Sequence, residues 1–238
     1  VKLVLKNSSL MYTVYGKTRA IANRINVIGK KKVFGIGMNK TGTTSLKSAM
    51  REMGFIVGNQ SRAESYFYQW CKRDFKQLVK YCRSAQFFQD NPFSLPFTYV
   101  VLDHEFKNSK FILTVRDSPE QWYNSITKAH AKIWGKNDNI PSKMDLQNAF
   151  YVFKGLPYDF LIQGYGTKEN DPYNKDILIE HYINYNQEVI NYFKNRPNDL
   201  LVLNVSDKNA YQKLSSFLGI EKKSVDQEFP WKNKTIKR

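Results

Sequence analysis

Short, unbroken apolar runs alternate along this chain with longer stretches whose apolar residues recur every three or four positions. The runs are rich in Val, Ile, Leu and Phe and read as strands near residues 32–37, 54–57, 85–89, 110–115 and 200–205. The periodic stretches read as helices near 43–53, 61–83, 94–105, 118–133, 173–195 and 208–218. Strands that are apolar on both faces belong in a parallel sheet with helices on each side, because only there are both faces dry. The pattern predicts a single α/β domain, 1–238, with a central, mostly parallel sheet of about five strands flanked by helices. Residues 1–30 precede it as an N-terminal extension. Ligands on such sheets bind beyond the carboxyl ends of the strands, and Lys40, Asp90 and Arg116 each fall at or just past one.

Residues 134–172 show no clear period. They mix Gly135, Pro141, Gly155, Pro157, Gly164, Gly166 and Pro172 with aromatic residues such as Trp134, Phe150, Tyr151 and Tyr165. Short helices and loops over the site are expected there. They would form either an acceptor-side lid or a plain satellite core.

The strand Val33-Phe34-Gly35-Ile36-Gly37 runs into a loop carrying Lys40, Gly42 and the hydroxyls of Thr43, Thr44 and Ser45, and a helix follows. A helix N-terminus behind such a loop aims free backbone N–H groups and the positive end of the helix dipole at one spot. Lys40 adds a full charge, so the segment suits a phosphate-like group. Two common phosphate motifs do not fit. A Walker A loop places its Lys directly after the second Gly; here Thr43 follows Gly42, and the Lys lies two residues before it. The dinucleotide pattern G-x-G-x-x-G has Lys40 at its third Gly. The plainest alternative is an ordinary strand-to-helix turn with Thr43 as N-cap.

A second strand–helix unit, Lys110 to Ser125, reads KFILTVRDSPEQWYNS. Arg116 closes the strand, Asp117 or Ser118 can cap the helix, and Pro119 suits its first turn. Ser125 lies nine residues after Arg116, about two turns into the helix. A guanidinium here can grip a phosphate with two parallel hydrogen bonds. Alternatively, Arg116 pairs with Asp117 or Glu120, and Ser125 is merely solvated. Further on come a helix, a strand, a helix and the tail FPWKNKT.

K-T-G-T-T-S after a strand, the Arg116–Ser125 unit and an ending in Phe-Pro together resemble the sulfotransferases that use 3′-phosphoadenosine-5′-phosphosulfate (PAPS). The resemblance covers the chain from Lys31 to Thr235. It implies a P-loop-type three-layer fold. The activity it implies is transfer of a sulfuryl group from PAPS to a hydroxyl or amine of a carbohydrate or small-molecule acceptor, leaving 3′,5′-ADP (PAP). Thr41, Gly42, Thr43, Thr44 and Ser45 would cradle the 5′-phosphosulfate with Lys40. Lys40 would also steady the bridging oxygen as the S–O bond breaks. Arg116 and Ser125 would hold the 3′-phosphate. No metal is required by that scheme.

Cytosolic members carry a K-T-H-L-P segment after the corresponding strand, with the His as base. Setting Pro92 on its Pro places Asp90 at the His. A carboxylate raised by burial or helped by a cation can do that work, with Glu105 and His104 in reserve. Otherwise Asp90 caps the turn before Pro92. Phe88 stands where the Lys of K-T-H would be, and no Arg-Lys-Gly occurs near the C-terminus, where Lys232 or Lys234 would have to substitute. Both departures point to a bacterial, algal or viral type.

Composition adjusts this picture at a few points. The 238 residues carry 37 Lys+Arg against 21 Asp+Glu, a net +16. Such a surface attracts polyanions. PAPS is one, but the basic residues are spread rather than blocked, so nucleic acid is not expected as a partner. Two other readings stay open: a P-loop nucleotide kinase needing Mg²⁺, and a non-enzymatic polyanion- or nucleic-acid-binding protein. Cys71 and Cys82 are too few for a disulfide framework or a zinc site. On one continuous 61–83 helix they would also lie too far apart to bridge. So few cysteines favour a reducing compartment such as the cytoplasm, a trimmed Golgi-type domain being the alternative. No apolar run reaches about 18 residues, and residues 1–30 do not read as a signal peptide. His104, His130 and His181 all fall on predicted helices, where a structural role suffices for each.

Overall fold

A computed structural model describes residues 24–220 and 229–230. The sheet has four strands, all parallel: β1 (Val33–Gly35), β2 (Phe87–Gln89), β3 (Lys110–Thr114) and β4 (Leu200–Leu203), in the spatial order β2-β1-β3-β4. Between β1 and β2 lie the helices α1 (Thr43–Glu52), α2 (Gln60–Glu64), α3 (Phe67–Cys71) and α4 (Lys76–Cys82). Then come α5 (Thr98–Glu105), α6 (Pro119–Trp134), α7 (Lys143–Asn148), α8 (Leu156–Asp159), α9 (Lys175–Phe193) and α10 (Ala210–Leu218).

The alternation of side chains along each strand divides the interior into two cores. Phe34, Phe88, Phe111 and Leu113 face one, with Trp122 of α6 and Tyr185 and Phe193 of α9. Val33, Phe87, Ile112 and Leu203 face the other, with Leu46 and Met50 of α1 and Leu214 of α10. Helices therefore cover both faces, giving the three-layer, P-loop-type arrangement. Phe34 is fully buried among the rings of Phe88, Phe93, Phe106 and Phe111, at centroid distances of 5.6–6.1 Å. Burying such a ring contributes about 2–3 kcal/mol.

Several expectations are corrected. The sheet has four strands, not five. The segment expected as a strand near 54–57 makes only a single bridge, Val57 to Phe87. The chain turns away at once, because Asn59 accepts the Arg62 N–H and caps α2. The continuous helix expected over 61–83 is three short ones. Arg73 takes a positive φ of 56°, and the Asp74 carboxylate accepts the Lys76 N–H to start α4. Cys71 and Cys82 thus sit on different helices, and both are free thiols. Helix α5 begins at Thr98 rather than near residue 94, with Phe97 at φ 65° before it. Over 134–172 the expected short helices do occur. Ser142 and Asp145 form a capping box for α7, and α8 runs into a single π turn at Phe160–Gly164. Phe229 is buried against Tyr211. Lys232, Lys234 and most of the extension at 1–30 lie outside the described residues.

Candidate active site

The loops after β1, β2 and β3 meet at one edge of the sheet, as parallel topology dictates. The first loop is held from beneath. Tyr185 donates its hydroxyl to the Ile36 carbonyl at 2.7 Å, and the Trp122 indole donates to the Asn39 carbonyl at 2.9 Å. A Cβ on Gly37 would lie 2.0 Å from Thr114 Oγ1 and 2.4 Å from the Thr114 nitrogen, so only glycine lets the chain pass β3 there. Thr41 is fully buried, and its hydroxyl bonds the Met38 carbonyl and Thr114 Oγ1. Its side chain shapes the loop rather than lining it.

Gly42, at φ 102°, is the N-cap of α1, and no side chain caps that helix. The first intrahelical bond runs from Leu46 N–H to Gly42 O, and Gly42 offers no side chain to cap the positive end of the helix dipole. The alternative of Thr43 as a simple N-cap does not hold. Thr43 is the first helical residue, and its hydroxyl donates to Asp90 Oδ2 at 2.9 Å. Ser45 is buried and Thr44 is half-buried. Lys40 sits at φ 66° and is half-buried. Burial lowers its ammonium pKa, Asp90 opposes the shift, and Arg116 adds to it.

Arg116 lies at the end of β3, where its backbone N–H donates to Tyr182 Oη and its Nε donates to the Lys40 carbonyl at 2.7 Å. The pairing with Asp117 or Glu120 does not occur: no ion pair of Arg116 exists among the described residues. Asp117 instead accepts from Gln121 and Asn204. Ser118, not Asp117, caps α6, accepting the Gln121 N–H. Ser125 is half-buried on α6, one turn beyond Trp122.

Asp90 follows β2 with φ 66°. Its Oδ1 accepts the Asn91 N–H at 2.9 Å, so it does cap its own turn while also receiving Thr43. Burial raises its pKa; the two hydrogen bonds and the cations Lys47 and Lys40 pull the other way. The reserve bases lie elsewhere. Helix α5 leaves the site edge after β2 and ends just before β3 begins, so His104 and Glu105 sit exposed at the opposite edge. His130 is buried, with Nδ1 2.9 Å from Tyr173 Oη, and burial lowers its pKa to about 3. His181 is likewise lowered to about 4 by burial. Burial holds both rings in the neutral form.

One site residue was missed. Glu64 is only 4% exposed, and its Oε1 accepts from Gln60 at 3.2 Å and from Tyr151 at 3.0 Å. Burial and the neighbouring Asp90 charge raise its pKa to about 7. In the sequence it is one polar residue on a helix, and nothing nearby marks it.

A family model described as a sulfotransferase domain matches residues 32–237, a span that starts at β1 and contains every residue above. The chain belongs to the sulfotransferase domain family. No curated protein matches it. As a sulfotransferase, the protein is a transferase, and its family implies a small-molecule or glycan acceptor. No described helix is long and apolar enough to cross a membrane. Among the described residues, no group of three or more His, Cys, Asp or Glu could hold a metal ion.

Proposed function

We propose that this sulfotransferase takes its sulfuryl group from PAPS and passes it to a hydroxyl or amine of a carbohydrate or small molecule. One observation carries the reading. Helix α1 starts at Gly42 with no cap side chain, two residues after Lys40, and Arg116 is tied through Nε to the Lys40 carbonyl. Two cationic side chains on adjacent strand ends thus act as one unit suited to two phosphate-type groups. The Nη atoms of Arg116 make no hydrogen bond among the described residues, which leaves the fork open for a bidentate grip on a 3′-phosphate, with Ser125 as a further donor.

When bound, PAPS would supply an electrophilic sulfur and a nucleotide leaving group. The α1 N–H groups, Gly42 and the hydroxyls of Thr43, Thr44 and Ser45 would hold its 5′ end, with Thr41 shaping the loop. Lys40 would neutralise charge on the bridging oxygen. Asp90 would take the acceptor proton. It is already raised by burial, so it is a better base than an exposed carboxylate. The kinase reading lacks a Lys after Gly42.

Thermal-shift titration separates the classes. The expected result is a large shift with 3′,5′-ADP and smaller ones with ATP plus Mg²⁺ or a short oligonucleotide; ligand at one hundred times Kd adds about 2.7 kcal/mol. A dominant response to ATP plus Mg²⁺ would transfer the assignment to a phosphotransferase.

A further inference from the structure

Glu64 lies outside the chemistry proposed above, yet it is built into the same site. Its Oε1 takes bonds from Gln60 and Tyr151, while its Oε2 is buried without a hydrogen-bond partner. The Gln60 amide that donates to Glu64 also donates to the Asn91 carbonyl at 2.9 Å, and the Asn91 N–H donates to Asp90. Gln60 therefore links Glu64 to the Asn91 main chain, whose N–H holds the Asp90 carboxyl. The charged and titratable groups facing Glu64 are Asp90 from the end of β2, Lys47 from α1, Tyr151 from the segment after α7 and Tyr165 after the π turn.

We propose that Glu64 is a positioning residue for Asp90, the two forming a coupled carboxyl pair that shares its charge during turnover. The proposal rests on Asp90 being the proton acceptor of the sulfotransferase. Two like charges in a poorly hydrated site resist ionising together. Asp90 is the member built to carry the charge, since it accepts from Thr43 and Asn91 and faces Lys40 and Lys47. Glu64, with a bare Oε2, is the member that keeps its proton, since burial and the Asp90 charge push its pKa up to about 7. When the acceptor O–H proton reaches Asp90, the opposing charge disappears and Glu64 can release its own proton to solvent past Tyr151. One proton arrives, one leaves, and the pair keeps one negative charge beside Lys47, the cation that both carboxyls face. Once Glu64 has lost its proton, its charge makes Asp90 the stronger base.

The test is carboxyl ¹³C NMR on the full chain, titrated from acid to alkaline pH, in wild type, Glu64→Gln and Asp90→Asn. In wild type, Asp90 should respond in two steps, the upper one tracking Glu64. Glu64→Gln should erase the upper step, and Asp90→Asn should lower the Glu64 midpoint by about one unit or more. An Asp90 curve unchanged in Glu64→Gln, or a Glu64 midpoint unmoved in Asp90→Asn, overturns the pair; if Glu64→Gln does not fold, the second arm decides alone. The 3′,5′-ADP thermal shift is recorded on the same samples. Its absence in wild type indicts the donor reading, whereas uncoupled carboxyls with that shift intact indict the pair.

Discussion

The proposed donor side and the proposed acceptor side of this site are built in opposite ways. On the donor side, Lys40, Gly42, Thr43, Thr44 and Ser45 are neighbours in sequence, and one strand-to-helix turn places them all. The acceptor side is assembled from α2, the turn after β2 and the segment 140–165, which contribute Glu64, Asp90, Tyr151 and Tyr165. The first is cationic and relies on backbone N–H groups. The second is acidic and poorly hydrated, so that burial raises the pKa of both carboxyls. They share one feature: Lys40 and Asp90 each follow a strand at φ 66°, a backbone state costing a non-glycine residue about 1–2 kcal/mol. The Thr43–Asp90 hydrogen bond joins the two halves. The lesson is that local grammar fixes a cationic strand-to-helix loop, whereas tertiary packing alone brings two buried carboxyls to it.

The contrast can be broken at several points. Lys40→Met should lower PAPS turnover about 100- to 1000-fold, the usual effect of removing one charge-stabilising group, without lowering thermal stability. If the loss is under tenfold, Lys40 is not at the breaking bond. Gly37→Ala should cost about 3 kcal/mol in denaturant unfolding, because its Cβ would meet Thr114 backbone as well as side chain. A neutral result would mean that the close approach of β1 to β3 is not needed to hold the loop.

On the acceptor side the effect depends on pH. Folding raises the Glu64 pKa from 4.5 to about 7, so between those values the folded chain holds a proton that the unfolded chain has lost. Stability from this group therefore falls as pH rises from 4.5 to 7 and stays low above it. Glu64→Gln should match wild type near pH 4 and exceed it at pH 8, by at most about 3 kcal/mol. A variant less stable than wild type at pH 8 would contradict the buried-acid assignment. Tyr151→Phe should be the mildest change, costing about 1 kcal/mol by loss of one hydrogen bond. In a chain of this size that is a drop of about 2–4 °C in Tm.

The same contrast explains what could be read from the chain before its structure. The strands expected near 32–37, 110–115 and 200–205 were legible because their apolar runs are continuous. The residues of the proposed cradle could be named from the sequence because they are contiguous. The break of the 61–83 helix was not, since no Gly or Pro marks it; Trp70 and Phe67 dock into the core, and Arg73 then turns back with its guanidinium 4.5 Å from the Trp70 ring. Once that helix breaks, Glu64 comes to rest near Asp90, a meeting no spacing could announce. Thr41 looked like one more hydroxyl donor, yet packing against Thr114 turns it inward. Which hydroxyl in such a loop faces out is decided by the neighbouring strand.

Arg116 and the Lys40 loop are proposed to read two separate phosphates. Calorimetric Kd values for 3′,5′-ADP and 5′-AMP, on wild type and Arg116→Ala, test it directly. A charge-assisted hydrogen bond is worth about 1.5–3 kcal/mol, so wild type should prefer 3′,5′-ADP by about 10- to 150-fold. Arg116→Ala should lose most of that preference while binding 5′-AMP as before. Equal affinities in wild type, or a preference that survives in Arg116→Ala, would contradict the account.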